Sequence, residues 1–211
     1  MRDIPLFTTE YGVSSLVLKE IPYKGQAYIH IRDVQEEGFS DHLKECVSFC
    51  RMAGAEEVFA AGHDSLERYP LYTAVWEMRG NSSLDATEAL FPVTEATVSQ
   101  WRKIYNERMR SVDNSGTLEA RDEQRILNSG TYFVHREGTL LGIGWMEDNK
   151  LLAIAAVEPG AGETVARSLF SLATEECILL EVASTNHRAI RLYEKLGFVK
   201  TREISRWYRV L

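Results

Sequence analysis

Residues 178–198, near the end of the chain, constrain the fold more than any other stretch. Residues 178–182 (ILLEV) are branched and apolar apart from one carboxylate, and the run is too short for a helix, so it predicts a buried strand. Residues 184–186 (STN) supply side-chain oxygens that can cap a helix. Apolar residues then recur at helical spacing over 187–196, and Gly197 follows where a left-handed residue commonly ends a helix. The pattern predicts a strand, a capped helix and then a second strand.

This stretch also carries a family motif. The pattern N-x-x-A-x-x-L-Y-E-K-L-G-F, from Asn186 to Phe198, resembles the acetyl-coenzyme A signature of the GCN5-related N-acetyltransferases, the GNAT superfamily. Within that superfamily, the C-terminal segment is most similar to the ribosomal-protein alanine N-acetyltransferases. The resemblance implies an α/β (α+β) protein with the GNAT fold, a mixed central sheet flanked by helices. The alternative is an ordinary strand packed on an amphipathic helix, with Tyr193 as a core aromatic; it does not explain the cap, the tyrosine and the Gly-Phe stop together.

Residues 85–211 are predicted to form a GNAT acetyltransferase domain, because the order of their predicted elements is similar to that of the family. These elements are a helix over 95–109 capped by Thr94, a helix over 117–127, strands over 131–136, 139–146 and 151–157, a helix over 163–174, and the strand–helix–strand unit of 178–198.

Residues 1–80 are predicted to form a degenerate acetyltransferase-like lobe, an additional N-terminal GNAT-like half. Their predicted elements are a hairpin of strands 14–21 and 26–32, a helix over 41–53, and strands over 57–61 and 71–78. The strand–helix–strand order of 27–61 parallels that of 151–182, a faint internal repeat for which chance similarity is the alternative. The first copy lacks a glycine loop and an Asn/Tyr helix, so we expect no cofactor there. The turn-rich residues 79–83 (RGNSS) are the predicted linker.

Charge and cysteine content narrow the class of protein. The net charge of −7 argues against nucleic-acid binding. Residues 182–211, however, hold seven Lys and Arg against two Glu, a balance of +5. A local basic surface suits a small polyanion such as coenzyme A, although solvated helix and strand faces explain any single arginine as well. Cys46 and Cys50 stand one helical turn apart, which favours core packing over a disulfide framework or a metal site.

A cofactor site is expected at residues 157–164 (VEPGAGET), between a predicted strand and a predicted helix. Glycines let the backbone approach a ligand closely, and a helix N-terminus presents free N–H groups to anions. By itself such a turn is common, but its place one strand–helix unit before the Asn186 motif is that of the family. The resemblance therefore implies that acetyl-CoA contacts Val157, Gly160, Ala161, Gly162, Glu163, Thr164, Asn186, Arg188 and Tyr193. The family usually has a longer loop with an Arg or Gln before the glycines, so Arg188 or Arg191 is the candidate for the missing charge.

The resemblance also implies direct acetyl transfer, with Tyr193 as the general acid that protonates the leaving thiolate and Glu181 as the base that accepts the amine proton. A carboxylate in an apolar strand is costly unless it faces a cleft or is paired. The alternative for Glu181 is therefore an outward-facing residue paired with an arginine. Glu147 and Asp148 are fallback bases, although their position in a turn favours solvent exposure. His135 and His187 have no partners in the sequence that single them out.

We therefore expect an acetyl-CoA-dependent N-acetyltransferase acting on a primary amine of a small molecule or a peptide N-terminus. The alternative is a catalytically inactive GNAT-like module that binds CoA or regulates. No metal, nucleic acid or membrane is expected as a partner, and a homodimer is left open. No apolar run approaches the ~20 residues that span a bilayer, and the N-terminal residues lack a signal-peptide core, so the expected location is cytoplasmic.

Overall fold

The computed structural model describes residues 3–81 and 88–211. The chain divides into two compact units, one of residues 1–74 with 203–211 and the other of residues 75–202.

In the described residues the strands are β1 (Ile4–Thr8), β2 (Gly12–Val17), β3 (Gln26–Val34), β4 (Glu57–Ala61), β5 (Leu71–Asn81), β6 (Ala89–Pro92), β7 (Thr131–Arg136), β8 (Thr139–Glu147), β9 (Lys150–Ala156), β10 (Cys177–Ala183) and β11 (Val199–Arg209). The helices are α1 (Ile21–Lys24), α2 (Phe39–Met52), α3 (Val98–Met109), α4 (Glu123–Leu127), α5 (Gly162–Phe170) and α6 (His187–Lys195), and short 3-10 turns cover Glu36–Gly38, Asp64–Arg68 and Ala120–Asp122.

The first unit is built on a parallel strand–helix–strand, β3–α2–β4, to which β1 and β2 add antiparallel strands. The predicted pairing of β2 with β3 is confirmed, and a single helical turn, α1, joins them before Gly25, whose φ is 70°. The apolar stripe of α2 packs over the strands with Cys46 and Cys50 fully buried, which confirms their predicted core packing. Burial raises the pKa of the Cys46 thiol to about 11 and that of Cys50 to about 12.

A buried polar network lies beneath α2. The ring of His42 is fully buried; Nδ1 is 2.7 Å from Thr9 Oγ1, and Nε2 is 2.7 Å from Ser14 Oγ. Cys46 Sγ lies 3.7 Å from the same Nε2. Burial lowers the pKa of His42, with a weaker opposite effect of Glu45, so the ring is neutral at pH 7. A neutral imidazole has one donor and one acceptor nitrogen, and the two hydroxyls satisfy both.

The second unit holds a mixed sheet in the strand order β5, β10, β9, β8, β7, β6. Strand β10 is antiparallel to β5 and parallel to β9, and β6 to β9 form an antiparallel meander. Side chains alternate between two apolar clusters: on β7, Val134 packs with α5 and α6, whereas the preceding Phe133 packs with α3 and α4. The predicted mixed sheet flanked by helices is confirmed.

Several predicted element bounds are wrong. Helix α3 begins after Thr97, one turn beyond the predicted cap Thr94, whose carbonyl accepts the N–H groups of Thr97 and Val98. The helix predicted over 117–127 is a 3-10 turn followed by the five residues of α4, and α5 ends at Phe170 instead of 174. Strands β1 and β6 were not predicted.

The predicted linker is also wrong over Arg79–Asn81, because these residues continue β5 and pair with β10. Gly80 is needed there for packing: a Cβ on it would meet the ring of Phe198 at 2.4 Å. The linker residues Ser82 and Ser83 lie outside the described residues. The unit boundary after residue 74 and the return of the last nine residues to the first unit differ from the predicted domains, 1–80 and 85–211, whose assignment stays a prediction.

The two predicted repeat copies, β3–α2–β4 and β9–α5–β10, are each a strand–helix–strand with parallel strands. They differ at the turn into the helix. The turn before α2 contains Glu36, Glu37 and Gly38, whereas the turn before α5 contains Gly160 and leads into Gly162, the first residue of the helix. The first copy therefore has two carboxylates and one glycine at this turn.

We expect His42 to make the stability of the protein depend on pH. Because its pKa is lower in the folded state than the ordinary 6.5, its contribution to stability is fully present above about pH 6.5 and is lost as the pH falls through the folded-state pKa. In urea unfolding, His42→Gln should reduce stability by about 1–3 kcal/mol at pH 7.5 and flatten the decline between pH 7 and 5.

The control is His187→Gln, since His187 is exposed and its loss should leave the decline unchanged. An unaltered pH dependence in His42→Gln contradicts the prediction.

Candidate active site

The candidate site lies where β9 and β10 separate. The two strands pair in parallel only at Leu179 with Lys150 and at Leu180 with Leu151. Strand β10 continues to Ala183 and β9 to Ala156, so their facing edges are no longer joined. A cavity of about 840 Å³, called the cleft below, opens at this separation. Backbone groups that a closed sheet would pair are thus available to a ligand.

The cleft is formed by residues of the second unit. Its walls are residues 105 and 107–109 of α3, the following loop 111–116, residues 152–156 of β9, the turn and first residues of α5, residues 181–183 of β10, and one face of α6.

Only part of the glycine turn, residues 157–164, lines the cleft. Gly160, with φ 83°, Gly162 and Glu163 line it. Ala161 is the N-cap of α5 and its carbonyl accepts the N–H of Val165 at 2.9 Å. Ala161 and Thr164 are not among the lining residues, so their predicted contacts with a cofactor stay predictions.

Val157 lies outside the lining as well, and its backbone is already bonded. Its N–H donates to the carbonyl of Leu141 at 2.8 Å, and its carbonyl accepts from Arg108 Nη2 at 3.2 Å. Arg108, on α3, lines the cleft and was not predicted, because no motif marks that helix. The Val157 carbonyl retains one lone pair for a ligand donor, so its predicted role in binding stays a prediction.

Helix α6 begins at the cleft as the sequence predicts. Asn186 Oδ1 accepts the N–H of Ala189 at 3.1 Å, which confirms the predicted cap, and Gly197 ends the segment with φ 86°. Asn186 and Ala189 line the cleft together with the exposed Arg188. Arg191 is not among the lining residues.

Tyr193 reaches the cleft from the core. Its side chain is 5% exposed, its ring centroid lies 6.0 Å from that of Phe198, and it lines the cleft. Burial raises the pKa of the phenol well above its ordinary value of 10, so the hydroxyl is protonated at neutral pH. A protonated group beside the cleft is able to donate a proton.

Glu181 lines the same cleft, so the structure brings the two predicted catalytic residues together. Leu180 and Val182 point into the core, and the alternation along β10 turns Glu181 to the other face. Its carboxylate accepts from Lys150 Nζ at 2.5 Å, in a pair that is about 40% exposed on both sides. The partner is thus a lysine, whereas the alternative considered for Glu181 paired it with an arginine. Lys150 had no signal in the sequence, because the contact arises from the register of β9 on β10.

The fallback residues lie elsewhere. Glu147 accepts from Trp145 Nε1 at 2.8 Å, and hydrogen bonds from Ser129 and Trp145 lower its pKa. Asp148 is in the predicted turn, with φ 43°. Neither residue lines the cleft, and the same holds for His135 and His187.

A second carboxylate lies directly across from Glu181, on β5. Glu77 is the register partner of Glu181 but is 6% exposed. It accepts from Thr201 Oγ1 at 2.9 Å, from Arg202 Nη2 at 2.9 Å and from Arg79 Nε at 3.0 Å. The hydrogen bond from Thr201, followed by those from Arg202 and Arg79, lowers the pKa of Glu77 to about 2. Glu77 is therefore ionised, but its charge is neutralised by its own partners.

Comparison with known proteins identifies the architecture. Residues 98–198 match the model of the acetyltransferase (GNAT) family. A GCN5-related N-acetyltransferase from Sphaerobacter thermophilus is similar over 93% of this chain and 75% of its own, with a TM-score of 0.60 at 11% identity. A putative acetyltransferase from Pyrococcus horikoshii is similar over 95% and 69%, with a TM-score of 0.58 at 14% identity. A functionally unknown conserved protein from Staphylococcus epidermidis is similar over 96% and 91%, with a TM-score of 0.61 at 10% identity.

These likenesses show that the chain has the GNAT fold. The residues matched by the family model make up just under half of the chain. No curated protein matches the sequence. Within residues 3–81 and 88–211, no helix is long and apolar enough to span a membrane. The same residues contain no group of three or more His, Cys, Asp or Glu placed to hold a metal ion.

We expect Glu77 to stabilise the fold except in strong acid. Its folded-state pKa of about 2 lies below the ordinary 4.5, so its contribution is present above about pH 4.5 and is lost as the pH falls toward 2. Glu77→Gln should lower the melting temperature at pH 7 and make the decline between pH 5 and 3 less steep.

Glu158→Gln removes the same charge from an exposed carboxylate and serves as the control. Equal acid sensitivity of Glu77→Gln and the parent protein contradicts the prediction.

Proposed function

We propose that this chain is an acetyl-CoA-dependent N-acetyltransferase that acts on a primary amine of a small molecule or a peptide N-terminus. One observation carries the proposal: the cleft between β9 and β10 brings together the glycine turn, the Asn186-capped helix, Tyr193 and Glu181. The GNAT fold and the family match over 98–198 support acyl transfer in general. The choice of an amine as acceptor rests on the residues of the cleft.

The shape of the cleft fits an extended donor with an anionic end. The separated edges of β9 and β10 offer backbone groups to the amides of a pantetheine arm. A Cβ on Gly160 would have no atom within 4 Å, so this turn leaves open space for a diphosphate beside the first-turn N–H groups of α5. Arg188 and Lys195 add positive charge to the same wall. When bound, the thioester supplies an activated acetyl group.

The carboxylates that line the cleft support a basic acceptor. Glu107 lies on α3, Asp113 in the following loop and Glu181 on β10. An amine is protonated and positively charged in water at neutral pH, so these groups favour its approach. The resemblance to the ribosomal-protein alanine N-acetyltransferases suggests a peptide N-terminus as one acceptor of this kind.

The catalytic step assigns one proton to each residue. The protonated amine first releases one proton to water, which frees its lone pair. As the lone pair forms the N–C bond, the nitrogen loses a second proton to the Glu181 carboxylate, directly or through water. The C–S bond breaks, and the sulfur takes the hydroxyl proton of Tyr193. Burial disfavours the resulting phenolate, so Tyr193 recovers a proton before the next turnover. For Glu181 to act as a base, its ion pair with Lys150 must be broken for part of the time.

The contact between Lys150 and Glu181 favours the second candidate function, a GNAT-like module that binds CoA without catalysis. In the structure Lys150 already holds Glu181, and Arg108 already holds the carbonyl of Val157. Both candidates require CoA binding and differ in turnover. The two experiments below therefore separate them.

Acetyl-CoA should bind with a stoichiometry of one per chain, since the turn before α2 carries the carboxylates of Glu36 and Glu37 and the first copy has no Asn/Tyr helix like α6. Isothermal titration calorimetry measures this, and ligand at about 100 times Kd should add about 2.7 kcal/mol of stability. Gly160→Asp places a negative charge in the cleft and should weaken binding at least tenfold.

Gly138→Asp is the matched control, because Gly138 has φ 82°, also has no atom within 4 Å of an added Cβ, and lies outside the cleft. The absence of heat and of a thermal shift at millimolar acetyl-CoA removes both candidates. Two molecules per chain contradict the assignment to β9–α5–β10 alone.

Tyr193→Phe keeps the buried ring and removes the hydroxyl. With an acceptor found by an amine screen, kcat should fall by about 10²–10⁴ while Kd for acetyl-CoA stays near that of the parent. Glu181→Gln should have a smaller effect if water carries the proton away. A Tyr193→Phe variant that turns over at the parent rate ends the assignment of Tyr193 as the acid, and no turnover in the parent with bound acetyl-CoA favours the module.

A further inference from the structure

An ion pair joins the two helices that begin at the cleft. Glu163, in the first turn of α5, accepts from Lys195 Nζ of α6 at 2.5 Å through Oε2. Its Oε1 accepts from Nε and Nη2 of Arg167, one turn further along α5, at 3.1 Å each. Glu163 and Lys195 line the cleft, whereas Arg167 does not. The hydrogen bonds from Lys195 and Arg167 lower the pKa of Glu163, so it is ionised at neutral pH.

The negative charge of Glu163 matters because this residue lies in the first turn of α5, beside the glycines that line the cleft. Among the described lining residues on α5 and α6, Glu163 is the only carboxylate, and it stands beside Gly160 and Gly162. An anionic group placed in this turn faces a like charge at close range, which raises its free energy of binding. Lys195 would attract the same anion, but in the structure its ammonium is directed to Glu163.

The pair is held loosely enough to exchange. The side chain of Lys195 is 69% exposed and that of Glu163 is 31% exposed, and solvent-exposed pairs of this kind contribute little stability. A lysine stem has several rotatable bonds, so its ammonium can turn from the carboxylate toward a phosphate without movement of the helix. Arg167 remains on Glu163 when Lys195 leaves.

We propose that the Glu163–Lys195 pair determines how much of the donor's affinity comes from its diphosphate. Lys195 is the cation that transfers to the phosphate, and Glu163 opposes binding by holding Lys195 and by repelling the anion. The inference rests on the proposed function, since it takes the diphosphate of CoA as the ligand of this turn. It assigns a specificity role to two residues and requires no change in the chemical step.

The test is calorimetric titration of the full chain with CoA and, separately, with pantetheine, which lacks the phosphates. Glu163→Gln should tighten CoA binding roughly three- to tenfold and leave pantetheine binding unchanged. Lys195→Met should weaken CoA binding by a similar factor, and the double variant should return toward the parent because the two changes have opposite effects on affinity. The difference between Glu163→Gln and the parent should narrow at high salt.

Glu194→Gln is the matched control, since Glu194 is an exposed carboxylate next to Lys195 that does not line the cleft. It should bind CoA as the parent does. Lys195→Met is independent of α5 and keeps the test decisive if Glu163→Gln is poorly folded. The proposal is overturned if the parent binds CoA and neither variant changes Kd, or if CoA and pantetheine respond equally. Absence of CoA binding to the parent and to both variants removes the proposed function and this inference together.

Discussion

The separation of β9 from β10 is the constraint on which the rest of the site depends. Strand β10 is joined to β5 over seven consecutive register pairs, whereas its parallel partner β9 holds it at two. Helices α5 and α6 each follow one of these strands, so both begin at the gap. In open sheets with parallel strands, ligands bind at the carboxyl ends of strands where neighbours diverge. The cleft is therefore a consequence of a single interrupted ladder, and the glycine turn and the capped helix both open onto it.

Local signals explain what the sequence could predict. The cap at Asn186, the stop at Gly197 and the strand over residues 178–182 depend on neighbours within a few residues, and each is found where expected. Gly80 shows the limit of such signals. A glycine in a polar stretch is typical of a turn, yet here it makes room for Phe198, more than a hundred residues away in sequence. Strands β1 and β6 are not predicted for a related reason, since the formation of a short strand depends on the strand with which it pairs.

The residues of the candidate site also fall into those that local sequence signals predict and those that they do not. Tyr193, Glu181 and the glycine turn lie in two short segments, residues 157–164 and 178–198, and could be named from the sequence. The partners that modify them could not, because each comes from another element: Lys150 reaches Glu181 through strand register, and Arg108 reaches the carbonyl of Val157 from α3. Arg108, Glu181 and Glu163 thus already have partners within the protein, so a ligand that used them would exchange partners. This makes affinity depend on the strength of those internal pairs.

The alternation along β10 has an evolutionary consequence. Leu180 and Val182 fill the core while Glu181, between them, faces the opposite side. If β10 shifted by one residue in its register, Glu181 would be buried and Leu180 exposed, and the free energy of this exchange would strongly destabilise the fold. Any lineage that keeps the core intact therefore also keeps a side chain aimed at the cleft from position 181. Selection for folding alone preserves the geometry of the site, and new acceptors can be explored by changing single side chains there without rebuilding the protein.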